Sequence, residues 1–282
     1  MFRLKRFIFV TLFINIFSTA GFSSQHNPGQ TQRSAPKVDG DTLKITILVD
    51  NYIYAAETKS DWGFSCLIDG LEKTILFDTG RIGGILVNNI DILHVDLRQV
   101  GQLVLSHEHQ DHTGGLPEVY SRNPDIPAFV PVSFSEDFGQ RTGIKTINRV
   151  DKPAEICRNA FLTGEMGEQI KEQSLIINTR QGLLIITGCS HQGIIELLQA
   201  AKKLLNKDIY LVLGGFHLLE HSNAAVHEII KEFKKLEVRK CGATHCTGDR
   251  QIQMFRDAYG EDFINMGTGR TIRITDTALK LN

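Results

Sequence analysis

The chain has 282 residues, with 31 lysines and arginines against 32 aspartates and glutamates, a formal net charge of −1. That balance leaves no basic footprint for a phosphate backbone, so nucleic acid is not an expected partner. With 41% hydrophobic and 22% charged residues, the composition excludes disordered and fibrous classes, and the length is enough to bury a sizeable core.

Residues 1–20 read as a secretory signal. Arg3, Lys5 and Arg6 form a basic start, an apolar run follows from Phe7 to Phe17, and Ser18, Thr19 and Ala20 place small residues at a cleavage position. The run is shorter than the roughly 20 apolar residues of a spanning helix. An uncleaved anchor and a short N-terminal helix are the alternatives, so a membrane enters only through this segment. The expected location is periplasmic or secreted. Residues 21–40, rich in Ser, Gln, Asn, Pro and Gly, read as a flexible tether, which leaves 41–282 as one folded domain.

Within that domain, turn-bounded apolar runs predict strands at Leu43 to Val49, Thr74 to Phe77, Gln102 to Leu105, Leu183 to Thr187 and Ile209 to Leu213. Ile194, Leu197, Leu198, Ala201, Leu204 and Leu205 recur at helical spacing and predict an amphipathic helix. A second helix is expected after Ser222 as N-cap, with Val226, Ile229, Ile230, Phe233 and Leu236 on its apolar face. Strands alternating with one-faced helices imply a layered α/β domain. The stretch from Pro117 to Gln173 is interrupted by prolines and reads as loops and short elements over one edge. Five cysteines, an odd number spread over the whole chain, do not form a disulfide framework. Buried reduced thiols are the default reading; in an exported protein one or two bridges could form, with Cys241 and Cys246 the pair to consider.

The chemistry concentrates in His107-Glu108-His109-Gln110-Asp111-His112, directly after a buried-type strand. Side chains two apart in an extended segment point the same way, so His107 and His109 can share one cation. Asp111 and His112 follow where the chain turns, and can face a second cation nearby. Imidazole and carboxylate donors suit zinc, iron or manganese.

The pattern H-x-H-x-D-H, with Phe77-Asp78-Thr79-Gly80 upstream, resembles the metallo-β-lactamase superfamily. The resemblance covers the chain from about Asp41 to Leu281. It implies a four-layer αββα sandwich with its metals at one edge of the sheets. Three later motifs, around Cys189 and His191, around Gly214 and His217, and around Thr244 and His245, are similar to the subgroup of dihydropterin–ribofuranosylaminobenzene phosphate synthase-like metal-dependent hydrolases. Subgroup membership is a weak guide to substrate.

Read from the residues, His191 and His217 each follow a predicted strand, at the edge where ligands gather in layered α/β folds. His245 follows a shorter segment. Together these give His107, His109, Asp111, His112, His191 and His245 as candidate ligands of two divalent cations, zinc foremost. Asp111 could also orient or deprotonate the attacking water, and His217 could donate a proton or bind an anion. Asp78 is expected to support a ligating imidazole through its second nitrogen. Many superfamily members carry a bridging Asp where this chain has Gly188-Cys189-Ser190-His191. Cys189 or His191 could substitute there, and Cys189 is placed beside the ligand set. The Gly267-Thr268-Gly269-Arg270 segment reads as a turn before a last strand.

The expected function is metal-dependent hydrolysis of an ester, phosphoester, lactone or amide bond in a small molecule, by a metal-activated water. The alternatives are synthase-type transfer to an arylamine phosphate and metal-dependent binding without turnover. Iron redox chemistry is disfavoured, because relatives of that kind carry Glu where His109 stands. Oligomeric state is not readable from the sequence.

Overall fold

Apolar residues at every second position let a strand serve two layers at once, and this chain uses that repeatedly. In the computed structural model, which describes residues 42–275 and 279–281, Leu184 and Ile186 face a core between two sheets, while Leu183 and Ile185 face helices on the far side. The segments read as export signal and tether, 1–20 and 21–40, lie outside the described residues.

The first half carries β1 (Thr42–Val49), β2 (Ser65–Asp69), β3 (Thr74–Phe77), α1 (Gly83–Ile92), β4 (Val100–Val104), α2 (Gln110–Thr113), α3 (Leu116–Arg122), β5 (Ala128–Pro131), α4 (Phe138–Thr142) and β6 (Ile147–Val150). Then come β7 (Ala154–Cys157), β8 (Ala160–Leu162), β9 (Leu175–Thr179), β10 (Gly182–Thr187), α5 (Ile194–Leu205), β11 (Ile209–Gly215), α6 (Asn223–Lys235), β12 (Lys240–Thr244), α7 (Asp249–Tyr259), β13 (Thr271–Thr275) and β14 (Leu279–Leu281). Among the described residues they form one sheet of order β14-β13-β1-β2-β3-β4-β5-β6 and another of order β12-β11-β10-β9-β8-β7.

Three apolar cores hold the layers. Ile45, Ile68 and Phe77 of one sheet meet Leu184, Ile186 and Leu213 of the other. Leu86, Ile90 and Val119 cover the first sheet from outside, and Leu197, Leu198, Phe233 and Phe255 cover the second. The result is the expected four-layer αββα sandwich. Each fully buried Leu contributes about 1.5–3 kcal/mol, so Leu197→Ala would cost on the order of 2–5 kcal/mol.

The two predicted helices form as α5 and α6, and Ser222 caps α6 by accepting from Ala225 N. Leu204 departs from its expected stripe and turns outward, since the apolar face of α5 narrows towards its exposed end. The stretch from Pro117 to Gln173 is more ordered than its prolines implied. Pro117 sits at the start of α3, where a missing N–H costs nothing. Pro131 ends β5, and β5 to β8 extend the two sheets on the same side. Gly267 and Gly269 take positive φ in a turn before β13, but β14 follows it.

What positions the site is strand direction. β3 to β6 run parallel, as do β10 to β12, and β1 runs the same way as β3 across two antiparallel steps. The carboxyl ends of β1, β3, β4, β10, β11 and β12 are followed directly by Asp50, Asp78, Leu105, Gly188, Phe216 and His245. No helix among the described residues is long and apolar enough to cross a membrane.

Candidate metal centre

Leaving β4, the chain bends at Ser106 and again at Glu108 before α2 begins after His109. Nε2 of His107 stands 3.1 Å from Nδ1 of His109, and their ring centroids are 4.6 Å apart. The short helix α2 then turns Asp111 and His112 to the same edge. His112 is fully buried 4.3 Å from the His107 ring, whereas His109 is exposed. From the second sheet, His191 brings its ring to 4.8 Å from His107 and 5.1 Å from His109. His245 lies 5.2 Å from His112 on the other flank, with Nε2 at 3.4 Å from Asp111 Oδ2.

All six sequence-derived ligand candidates therefore come together. Three donor groups have ligand atoms within 4.8 Å of one another: His107, His109 and Asp111; His107, Cys189 and His191; and Asp111, His112, Cys189 and His245. Cys189, expected beside the ligands, stands among them, with Sγ 3.2 Å from His112 Nε2. The reason is local: Ser190 takes a φ of 62°, which swings the chain after β10 back across the site.

Asp78 occupies the expected supporting place. Its carboxylate accepts from Ser106 N and Ser106 Oγ, both at 2.7 Å, and pairs with Nδ1 of His112 at 2.7 Å. That leaves Nε2 of His112 facing Cys189 and Asp111. Gly188 opposite must be glycine, because a Cβ there would lie 2.2 Å from Ser106 Oγ.

Three further supports were missed in the sequence. Glu172 is fully buried, and its carboxylate accepts from the backbone N–H groups of Gly188, Cys189, Ser190 and His191 and from Thr187 Oγ1, at 2.9–3.1 Å. One acid thus gathers the whole turn that carries Cys189 and His191. Asn51 Oδ1 stands 3.0 Å from His245 Nδ1 and fixes that ring. Trp62 donates from Nε1 to Asp111 Oδ2 at 3.0 Å and covers His245 at 5.1 Å between centroids. None has a local signal: Glu172 lies in a stretch without periodicity, and Asn51 follows β1 as an ordinary turn residue would.

Electrostatics favour neutral imidazoles around a charged acid. Burial, then the neighbouring rings, holds His107 well below its ordinary value and takes His191 to about 3. Burial lowers His109 as well. Burial works to raise Asp111, but the adjacent His245 and His112 rings prevail and hold it down. His112 is the exception: burial works against its charge, yet Asp78 pushes it up to about 9. His217, exposed, is raised by its hydrogen bond with Cys246, and its ring lies 4.2 Å from His191.

The residues fit a cation. Nε2 of His191 and Nε2 of His245 are both buried without a hydrogen-bond partner. Such nitrogens are costly to leave unpaired, and a coordinated ion satisfies them. Glu165 accepts from Ser133 N on the surface, and His94, His221 and His227 are exposed outside the cluster. All five cysteines are buried free thiols, so Cys241 and Cys246 are not bridged.

The fold and this edge define the class: the chain belongs to the metallo-β-lactamase superfamily, whose profile matches residues 63–194. A curated relative from Methanocaldococcus jannaschii, 7,8-dihydropterin-6-methyl-4-(beta-D-ribofuranosyl)-aminobenzene-5'-phosphate synthase, is 30% identical, over 83% of this chain and 97% of its own. Among solved structures, Tm1679, a metal-dependent hydrolase of the β-lactamase superfamily, matches with a TM-score of 0.72 at 27% identity, over 83% of this chain and 99% of that one. The metallo-β-lactamase fold protein YhfI from Bacillus subtilis matches at 0.62 and 14% identity, over 83% and 100%, and shares the fold alone.

Proposed function

We propose that this chain is a metal-dependent hydrolase of a small molecule, acting on an ester, phosphoester, lactone or amide bond. The observation that carries this reading is the convergence of five imidazoles, one carboxylate and one thiol, with two buried ring nitrogens unpartnered. His107, His109 and His191 would hold one divalent cation, and Asp111, His112 and His245 a second, with Cys189 between the sets. Zinc suits these donors best, with iron and manganese next. Such cations, when bound, supply positive charge that acidifies a water and polarises a substrate oxygen.

The chain's own side chains do the rest. Asp111, held ionised, orients the attacking water and takes its proton. His217, whose affinity for a proton is raised by the neighbouring Cys246, would pass a proton to the leaving group. Trp62 and Asn51 keep Asp111 and His245 aimed, and Asp78 keeps the outer nitrogen of His112 engaged. A cleft of about 600 Å³, lined by Glu168, Gln169, Gln192, Glu196, His191 and His217, offers room for a small-molecule substrate.

The test is turnover of a phosphodiester, lactone and thioester panel by protein before and after removal of its metal. Activity should vanish on stripping, return on reloading, and be abolished by His109→Ala, with less metal retained. Undiminished turnover in the stripped protein would overturn the reading.

The 30% identity to a curated synthase favours a second reading, group transfer. Incubation with a dihydropterin pyrophosphate and an arylamine ribose phosphate separates the two, since a condensation product establishes transfer. The export signal read at residues 1–20 supports hydrolysis outside the cytoplasm, because pterin intermediates are intracellular.

A further inference from the structure

One group of donors lies beside the centre just described and shares only Cys189 with its ligand sets. Sγ of Cys189, Sγ of Cys246 and a ring nitrogen of His217 lie within 4.8 Å of one another. Both cysteines are buried and neither is in a disulfide, while the His217 ring is exposed at the surface. We propose that Cys189, His217 and Cys246 form a third cation position, suited to a soft, thiophilic ion such as zinc, cadmium or copper(I).

Donor chemistry is the first argument. Two thiolates and an imidazole are a softer set than the neighbouring groups, none of which has more than one sulfur, and they match the preference of thiophilic ions. Space is the second. Gly215 does not take a positive φ, so its backbone conformation does not require glycine. A Cβ at that position, however, would stand 2.6 Å from both Cys246 Sγ and Gly188 O, so the missing side chain lets the sulfur and the turn after β10 approach together. Strain is the third. His217 takes a φ of 53°, unfavourable for a residue with a Cβ, and in that conformation a ring nitrogen lies within 4.8 Å of both sulfurs.

Access is the fourth. A cleft of about 280 Å³, lined by Trp62, His217, Leu219, Glu220, His221 and Cys246, leads from solvent to Cys246 and His217. An ion arriving there meets Cys246 and His217 first, and Cys189 is already a member of two other donor groups. Thiolates bridge ions readily, so sharing Cys189 is compatible with this position. Occupancy takes the His217 ring that also lines the larger cleft beside His191, so a soft ion here would inhibit; that consequence, unlike the site, rests on the proposed hydrolysis.

The experiment is a cadmium titration of the full-length, metal-free protein, following sulfur-to-cadmium charge-transfer absorbance and bound cadmium by elemental analysis. Wild type should bind one equivalent more than Cys246→Ser, which keeps Cys189, and the charge-transfer intensity of the variant should fall by about half. Wild-type stoichiometry and absorbance in Cys246→Ser would overturn the proposal. If that buried substitution prevents folding, His217→Asn provides the same test at an exposed side chain: one equivalent fewer supports the position, and an unchanged count refutes it. Neither readout involves turnover, so a protein without hydrolase activity still shows whether the third position binds.

Discussion

Nδ1 of His112 and Oδ2 of Asp78 stand 2.7 Å apart, both side chains fully buried, behind the edge where the other donors gather. The pair settles which nitrogen of His112 faces the centre, since the other is taken. It also ties β3 to the segment after β4, because the same carboxylate holds Ser106 twice. Asp78→Asn keeps the shape and removes the charge. It should weaken metal affinity about 10–100-fold, as loss of an outer carboxylate typically does. Competition with a chromophoric chelator at neutral pH measures this, and unaltered affinity would argue that Asp78 is structural only.

The same pair makes metal uptake depend on pH. Burial disfavours the charged ring, but Asp78 prevails and His112 is pushed up to about 9 from an ordinary 6.5. A proton and a cation compete for this ring, so apparent affinity should climb between about pH 6.5 and 9, by up to tenfold for each pH step of one. In the cation-free protein the raised value has a second consequence. The stability that the charged pair contributes is complete below about 6.5 and is lost as pH rises through 9. Calorimetric titrations at stepped pH decide the first point; a flat affinity profile refutes it.

Glu172 should matter more for folding than any ligand does. Five donors converge on its carboxylate, and Glu172→Ala leaves four backbone N–H groups and a hydroxyl without their partner. The expected loss is on the order of 3–5 kcal/mol, read from the urea midpoint. Glu172→Gln replaces one accepting oxygen with a donor. Since Oε2 holds His191 N at 2.9 Å, whichever oxygen is lost costs part of the turn, so an intermediate stability and reduced metal retention are expected. A Gln variant as well metallated as wild type would show that the turn holds itself.

Asp50 makes the opposite kind of contribution. It is fully buried beneath Thr244, and burial, only partly offset by that hydroxyl, raises it from 3.8 to about 6. Its folded value lies above its unfolded one, so stability is greatest below about pH 4, falls towards pH 6 and is level above. The difference corresponds to at most roughly 3 kcal/mol. Asp50→Asn keeps an acceptor for Thr244 without the charge, and should be more stable than wild type at pH 7 and lack this slope. Thermal melts of cation-free protein across pH 4–7 test it; parallel profiles for the two proteins would count against it.

What the sequence revealed was whatever repeats or clusters locally. The His107-to-His112 motif, the stripes of α5 and α6 and the continuous strands β10 and β11 all depend on neighbours within a few residues. Cys189 was placed beside the ligands because nothing in Gly188-Cys189-Ser190 announces a left-handed Ser190. The strands β5 to β8 hid among prolines, since each is only three or four residues long and is defined by its partner's register. Glu172 meets amides 16 to 19 residues further on, and Asn51 meets His245 at a separation of 194, so both pairings exist only after the sheets have assembled.

Asp78, Ser190, His217 and His245 all hold φ between 50° and 62°. Glycine would relax each of these positions, by on the order of 1 kcal/mol, but it has no side chain with which to reach an ion or hold a neighbour. Fold and chemistry therefore pull in opposite directions at these four places. At the exposed His217, variants selected only for heat resistance would be expected to drift towards glycine or asparagine, and to become sturdier proteins with one donor fewer at the edge.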